Sequence, residues 1–260
     1  MKAIILAAGK GSRFTSSIPS CPAQSTAPAH KCLVQLDGRP ILNFSLDAAT
    51  QLGVDEIVIV VGHLAKTIID AYGTNYLGTP LTYVYQNEPK GLIHALACGR
   101  DALGEADFWL FLGDEVLIDA NLKAMQSDFY QTHAAISCGL IPTEEPERIC
   151  KNYTVDFDNV SSQVFKVVEK PAQPITPYIG TGHCLFRNAV LDYIDQMPAD
   201  PRTGNKELAG LIQYAIDVGD QVLCYRFEAF FYYVNLNTYE DYLALSVALS
   251  RDSSYIESAA

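Results

Sequence analysis

The segment Ile4-Ile5-Leu6-Ala7-Ala8-Gly9-Lys10-Gly11-Ser12-Arg13 constrains this chain more than any other. A short apolar run, of the kind that forms a buried strand, enters a glycine-rich turn carrying two cations. Glycines 9 and 11 let the backbone take up φ > 0 and approach a ligand closely. Their N–H groups form an anion-binding concavity, and Lys10 and Arg13 add positive charge beside it. Such a loop suits a polyphosphate. Two common phosphate loops are excluded. The dinucleotide fingerprint needs G-x-G-x-x-G, but Phe14 takes the place of the last glycine and no acid follows at the usual spacing. The Walker loop needs G-x-x-x-x-G-K-[ST], which Gly9-Lys10-Gly11-Ser12 does not supply. The plain alternative is a glycine-rich turn that happens to carry cations.

Downstream, strand-like and helix-like segments alternate, which predicts an α/β fold: three layers, α/β/α, with a Rossmann-like, mostly parallel mixed sheet. The runs 56–61 and Phe108–Leu112 are nearly all apolar, as strands buried on both faces should be. The reading places a short strand at 32–36, ended by the Asp37-Gly38 turn. Pro40 then opens a helix that runs to Gly53. Helices follow at 63–72, 91–103, near 119–131 and at 205–218. Strands follow at 81–86, 134–141, 153–157, 164–169, 180–186, 221–227 and 231–235. Thr238-Tyr239-Glu240-Asp241 makes a capping box for a last helix to about residue 250. One stretch, 15–30, is rich in Ser, Pro and Ala and reads as an exposed mobile loop, either a tolerated insertion or a lid.

Composition removes several classes of function. The formal net charge of −12 argues against a nucleic-acid surface, which needs clustered Lys and Arg. No apolar run approaches the ~18 residues of a membrane span, and the N-terminal run is too short for a signal-peptide core. Seven cysteines, odd in number and without a C-x-x-C pair, fit neither a zinc site nor a disulfide framework. They suit reduced thiols, so a cytoplasmic location is expected.

Further motifs follow in order. Gln86-x-x-Pro89-x-Gly91-Leu92-x-His94-Ala95-Leu96 pairs an amide with a glycine at a helix start. Leu112-Gly113-Asp114 puts an acid at the end of a buried strand, where α/β sheets face their ligand crevice. Val168-Glu169-Lys170-Pro171, Thr181-Gly182 and Val234-Asn235-Leu236-Asn237-Thr238 complete the set. With L-A-A-G-x-G-x-R and the later Lys31, these segments resemble the nucleotidylyltransferases that make NDP-sugars from sugar 1-phosphates, such as the glucose-1-phosphate thymidylyl- and uridylyltransferases. The resemblance spans most of the chain.

That resemblance implies a single nucleotidyltransferase domain over 1–260. Residues 1–140 would form a nucleotide-binding half, 141–235 a sugar-phosphate-binding half, and 236–260 a C-terminal helix and tail. It implies Mg²⁺ as cofactor, held by Asp114 and Asn235, and an NTP and a sugar 1-phosphate as substrates. Leu6, Ala8, Gly9, Gly11, Gln86, Gly91 and Gly113 would contact the nucleotide, with Gln86 and Gly91 at the base. Arg13 and Lys31 would hold the triphosphate. Glu169 would take sugar hydroxyls, Lys170 the sugar phosphate, and Thr181 and Gly182 would lie beside the sugar. No covalent enzyme intermediate is implied.

The chain departs from the family pattern in three places. The spacing from Arg13 to Lys31 is longer than usual. Asn235 stands where Asp is commoner, although the N-acetylglucosamine 1-phosphate uridylyltransferase branch also has Asn. Lys151-Asn152-Tyr153 replaces a glycine beside the sugar, which implies an altered acceptor pocket. Two rival readings stay open. One is a cytidylyltransferase for phosphocholine or another small phosphate, its cation held by the aromatic run Phe230-Phe231-Tyr232-Tyr233. The other is a non-catalytic nucleotide-sugar-binding regulator. The sequence leaves open the base, the acceptor, and whether the protein is a homo-oligomer.

Overall fold

Burial of the apolar strands on both faces dictates the architecture. In the computed structural model, which describes residues 1–18, 30–36 and 38–251, Lys2–Ala7 lies between Ile57–Val61 and Phe108–Leu112, parallel to both. Every residue of Ile57–Val61 is fully buried. Successive side chains point to opposite faces, so each face needs its own cover. Ile4, Val58, Val60 and Leu110 pack under helices Leu92–Cys98 and Leu208–Asp217. Ile5, Ile57, Ile59 and Phe111 pack under helices Leu42–Gln51, Ala65–Tyr72 and Leu122–Gln131. Each such buried aliphatic side chain contributes about 1.5–3 kcal/mol by leaving water. The result is the expected three-layer α/β/α sandwich.

The ten-stranded sheet has two characters. Its N-terminal half is parallel, extended by Thr79–Tyr85 beside Ile57–Val61. The long strand Tyr178–Phe186 then pairs antiparallel with Phe108–Leu112 and with Ile136–Pro142, and touches Tyr153–Phe157 through Gly180. Val164–Glu169 forms the edge beyond Tyr153–Phe157, and Val222–Arg226 runs parallel to Ile136–Pro142. Above the sheet, Glu115–Ile118 and Tyr232–Asn235 form a separate two-stranded ribbon. Phe14, Val116, Val234, Leu236, Leu245 and Leu249 fuse that ribbon, the phosphate-loop helix and the C-terminal helix Tyr239–Arg251 into a third core. Thr238 and Asp241 cap that helix reciprocally: Thr238 N–H donates to Asp241 Oδ2 (2.7 Å) and Asp241 N–H to Thr238 Oγ1 (3.3 Å). No helix among the described residues is long and apolar enough to cross a membrane.

Several expectations are corrected. Pro40 does not open a helix; Arg39–Pro40 pairs antiparallel with Gln35–Leu36, and the helix begins at Leu42. The fixed φ of proline suits an extended edge as well as a first helical turn, and sequence alone does not separate them. Lys31–Leu33 is a 3₁₀ turn rather than a strand; Asp37 lies outside the described residues. The helix read at 91–103 breaks at Gly99 into Leu92–Cys98 and Arg100–Leu103. The helix near 119–131 is preceded by the unforeseen strand Glu115–Ile118. Thr15, Ser16 and Ser17 belong to helix Ser12–Ser17, and His30 is buried, so neither end of the 15–30 stretch is an exposed loop. The rest of it, 19–29, lies outside the described residues, and the lid with it.

Candidate active site

A cleft of about 430 Å³ opens at the C-terminal ends of the parallel strands, where a switch in strand direction leaves a crevice. Its lining is contributed by five separated segments. The first strand delivers Leu6 and Ala8, then Gly9, Lys10, Gly11 and Arg13. Lys31 and Cys32 come from the 3₁₀ turn, Gln86, Pro89 and Gly91 from the loop after Thr79–Tyr85, Asp114 from just past the end of Phe108–Leu112, and Asn235 and Asn237 from the end of the ribbon and the residues after it. Three cations, Lys10, Arg13 and Lys31, thus face one carboxylate, Asp114, in a chain of net charge −12. The local field is inverted, as an anionic ligand requires.

Gly11 is required by its backbone. It lies at φ 62° as the residue before helix Ser12–Ser17, and a Cβ there would fall 2.9 Å from Lys31 Cβ. Gly9, by contrast, does not take up positive φ and has open space around it, which corrects the expectation for that residue. Lys31 Nζ sits 2.5 Å from Asp114 Oδ2, with only 10% of the Lys31 side chain exposed. His30 Nδ1 accepts from Cys32 N–H (3.2 Å) and braces the turn carrying Lys31. Burial, followed by the field of His63, pushes the His30 pKa down, so the ring stays neutral and can accept. Gly113 does not line the cleft; it is buried and donates its N–H to Leu6 C=O (3.0 Å).

Asn235 is placed beside Asp114 by Leu236 N–H, which donates to the Asp114 carbonyl (2.8 Å). Its Oδ1 accepts from Asn237 Nδ2 (3.2 Å), which aims the amide. Among the described residues no group of three or more His, Cys, Asp or Glu side chains converges as a metal cage. A pair of oxygen donors, one anionic, fits Mg²⁺, which is commonly held by one or two protein groups plus phosphates and water.

The residues expected to take the acceptor are placed apart from this cleft. Glu169 lines a second depression of about 500 Å³ with Asp200, Arg202 and Glu207. Lys170, half exposed, ion-pairs with Glu169 (2.9 Å) and adopts φ 46°, a strained value for a non-glycine residue. One loop spans the two cavities: Arg202 donates to the Glu169 carbonyl (3.0 Å), and Asn205 packs on Gly91. Thr181 and Gly182 face neither cavity. The Thr181 hydroxyl donates to Gly139 C=O (3.1 Å), and Gly182 N–H donates to Glu115 (2.8 Å). Asn152 and Tyr153 serve the framework as well: Asn152 C=O accepts from Lys170 N–H (2.8 Å), and Tyr153 OH donates to Thr181 C=O (2.9 Å). The aromatic run is core rather than a cation box, since Phe230 and Tyr233 pack in one cluster and Phe231 and Tyr232 in another.

Sequence reasoning missed Glu115. Its carboxylate is buried and accepts from Tyr233 OH (2.6 Å) and Gly182 N–H (2.8 Å), with His183 Nδ1 3.2 Å away. Burial and the adjacent carboxylate push the Tyr233 phenol far above its ordinary pKa, so it remains a donor. The acidic doublet Asp114-Glu115 at a strand end was the available signal. Glu115→Ala should strand two buried donors, costing roughly 1–3 kcal/mol each. A melting-temperature drop on the order of 10 °C is expected by calorimetry, with a smaller one for Glu115→Gln. An unchanged melting temperature would remove Glu115 from the framework of the site.

Comparison with known proteins agrees with this geometry. Residues 2–251 match the family model described as nucleotidyl transferase. A UTP–glucose-1-phosphate uridylyltransferase of Haloferax volcanii is 33% identical over 232 residues, covering 88% of each chain. A glucose-1-phosphate thymidylyltransferase of Streptomyces griseus is 31% identical, covering 85% of this chain and 59% of that longer one. The fold of a UDP-glucose pyrophosphorylase solved with UDP-glucose superposes with a TM-score of 0.80 at 20% identity, covering 96% of this chain and 98% of that one. The phosphate loop, the acid at the strand end and the matched span together place this chain in the nucleotidyl transferase family.

Proposed function

We propose that the protein transfers a nucleoside monophosphate from an NTP to a sugar 1-phosphate, giving an NDP-sugar and pyrophosphate. The observation that carries this is the convergence of the phosphate loop, Lys31, Gln86, Gly91, Asp114 and Asn235 on one cleft. A phosphate oxygen of the sugar 1-phosphate attacks the α-phosphorus in line. The new P–O bond forms as the α–β bridging P–O bond breaks, and the electron pair leaves with pyrophosphate. The protein's part is positioning and charge stabilisation. Arg13 and Lys31 grip the triphosphate, which competes with Asp114 for Lys31 Nζ. Lys170 holds the acceptor phosphate and Glu169 the sugar hydroxyls. Asp114 and Asn235 would hold Mg²⁺, which when bound neutralises charge on the triphosphate oxygens.

This reading divides the single domain into a nucleotide half over 1–140 and an acceptor half over 141–235, closed by the C-terminal helix. The test is pyrophosphate release across a matrix of nucleotides and phosphorylated acceptors. Turnover with at least one sugar 1-phosphate is expected. Turnover with CTP and phosphocholine alone would favour the cytidylyltransferase rival. Nucleotide binding without any turnover would favour the regulator.

Asn235→Asp should keep activity and bind Mg²⁺ more tightly, because an anionic oxygen replaces a neutral one at the same reach. Asn235→Leu should lose activity, the apolar side chain offering no oxygen. Titrating initial rate against Mg²⁺ for both variants checks this, and parental activity in the Leu variant would show that Asn235 is no ligand.

A further inference from the structure

The ribbon that carries Asn235 and the strand that ends just before Lys170 belong to different sheets, yet a run of hydrogen bonds joins them. Arg148 stands in its middle. Its Nη2 donates to the carbonyl of Tyr233, two residues before Asn235 (3.1 Å). Its own carbonyl accepts from Asn152 Nδ2 (2.9 Å); a carbonyl can only accept, so the Asn152 amide must turn its nitrogen that way. Asn152 C=O in turn accepts from Lys170 N–H (2.8 Å), the bond that keeps Lys170 at φ 46° and so fixes where its side chain starts.

The parts between are stiff. Pro146–Ile149 is a single helical turn, extended by Cys150 N–H on Pro146 C=O (3.0 Å) and Asn152 N–H on Ile149 C=O (3.0 Å). Ile149 is 2% exposed and packs in the same apolar cluster as Ile141, Ile179 and Tyr233. The turn therefore cannot slide against the ribbon without opening close-packed core. The other charged contact of Arg148, with Glu145, is 3.8 Å long and lies at the surface, where an ion pair contributes little. The bond to Tyr233 is the one that reaches across elements.

We propose that Arg148 is a positioning residue that sets Lys170 at a fixed place relative to the ribbon bearing Asn235. In-line transfer needs the acceptor phosphate and the α-phosphorus in register, and a misplacement of about 1 Å can lower the rate by roughly a hundredfold. The sheet sets the spacing of the two half-sites coarsely. The Arg148 link sets it at the two residues concerned, one on the nucleotide side and one on the acceptor side. Arg148 touches neither substrate in this scheme. The inference rests on the acceptor role proposed for Lys170 and adds what places that lysine.

A double-mutant cycle separates this role from packing. Arg148→Met keeps the aliphatic stem and removes the donor. With the sugar 1-phosphate that turns over fastest in the matrix above, it should lower kcat/KM about fivefold to tenfold, the scale on which residues between two sites act. NTP affinity by calorimetry should change by less than about twofold. Asn152→Ala, which cuts the next bond in the run, should do the same, and it carries the cycle alone if Arg148→Met does not fold. In the Lys170→Ala background either substitution should lower kcat/KM by no more than about a further twofold, since no ammonium is left to place. An Arg148 that acted through its own charge, or that merely supported the fold, would give its full loss in both backgrounds. Such additivity would overturn the inference alone, as would parental acceptor kinetics in both Arg148→Met and Asn152→Ala. Parental acceptor kinetics in Lys170→Ala would instead overturn the acceptor role of Lys170, and the inference with it.

Discussion

Asp114→Ala should lower kcat by at least about a hundredfold to a thousandfold, the scale of losing one main source of transition-state charge stabilisation. Among the described residues, the carboxylate is the one acidic side chain lining the cleft. It is set at the end of a fully paired strand, with its backbone carbonyl accepting from Leu236 N–H. Raising Mg²⁺ should not restore the rate, since the missing oxygen belongs to the protein. The substitution also frees Lys31, whose ammonium then binds triphosphate without competition. Nucleotide affinity in the absence of metal should hold or rise while turnover collapses, a split that general unfolding does not produce. Steady-state kinetics at several Mg²⁺ concentrations, beside calorimetric nucleotide titrations, decide it; a variant keeping most of its kcat would show that the metal ligand has been misassigned.

Lys170→Ala should reduce kcat/KM for the sugar 1-phosphate roughly tenfold to a hundredfold, the range of one hydrogen bond between charged groups. NTP binding should change little. The side chain is half exposed and its pair with Glu169 contributes little to stability in water. Its backbone, however, is held at φ 46° by the bond from Lys170 N–H to Asn152 C=O (2.8 Å). A lysine kept in that conformation costs on the order of 1–2 kcal/mol. Lys170→Gly should therefore be at least as stable as the parent, yet lose acceptor use as fully as the Ala variant. Glu169→Gln should raise KM for the sugar phosphate and leave an acceptor without hydroxyls unaffected. If these variants weakened NTP binding and spared acceptor kinetics, the two halves of the site would have to be exchanged.

The parallel half of the sheet was legible because its strands are buried on both faces and read as unbroken apolar runs, with Ile57–Val61 the clearest case. The proposed nucleotide cleft follows the same topology: Gly11 and Asp114 come just after such strands, and Gln86 just after the neighbouring parallel strand Thr79–Tyr85, so that distant segments meet at one sheet end. Elements decided by tertiary contact were not. Glu115–Ile118 looks like the approach to a helix until Tyr232–Asn235 pairs with it. Thr181 and Gly182 look like site residues, because a small residue beside a sugar and a small residue under a buried carboxylate carry the same letters. A Cβ at Gly182 would lie 2.4 Å from Leu112 Cγ and 2.6 Å from Glu115 Oε2, so glycine there answers to packing.

The ribbon of Glu115–Ile118 and Tyr232–Asn235 sets the order in which this protein becomes competent. Tyr233 reaches Glu115 across 118 residues of chain, and Tyr239 N–H reaches Ser17 Oγ (2.7 Å) across 222. During synthesis the phosphate loop and the strand bearing Asp114 emerge early, while Asn235 and the helix that braces Ser12–Ser17 are made last. Contacts of such separation close late, because the loop entropy must be met before they form. An immature chain thus carries a glycine loop with no oxygen partner opposite Asp114 and no buttress behind it. The strand Tyr232–Asn235 and the helix Tyr239–Arg251 therefore act as the closing key of a cleft whose walls are made first.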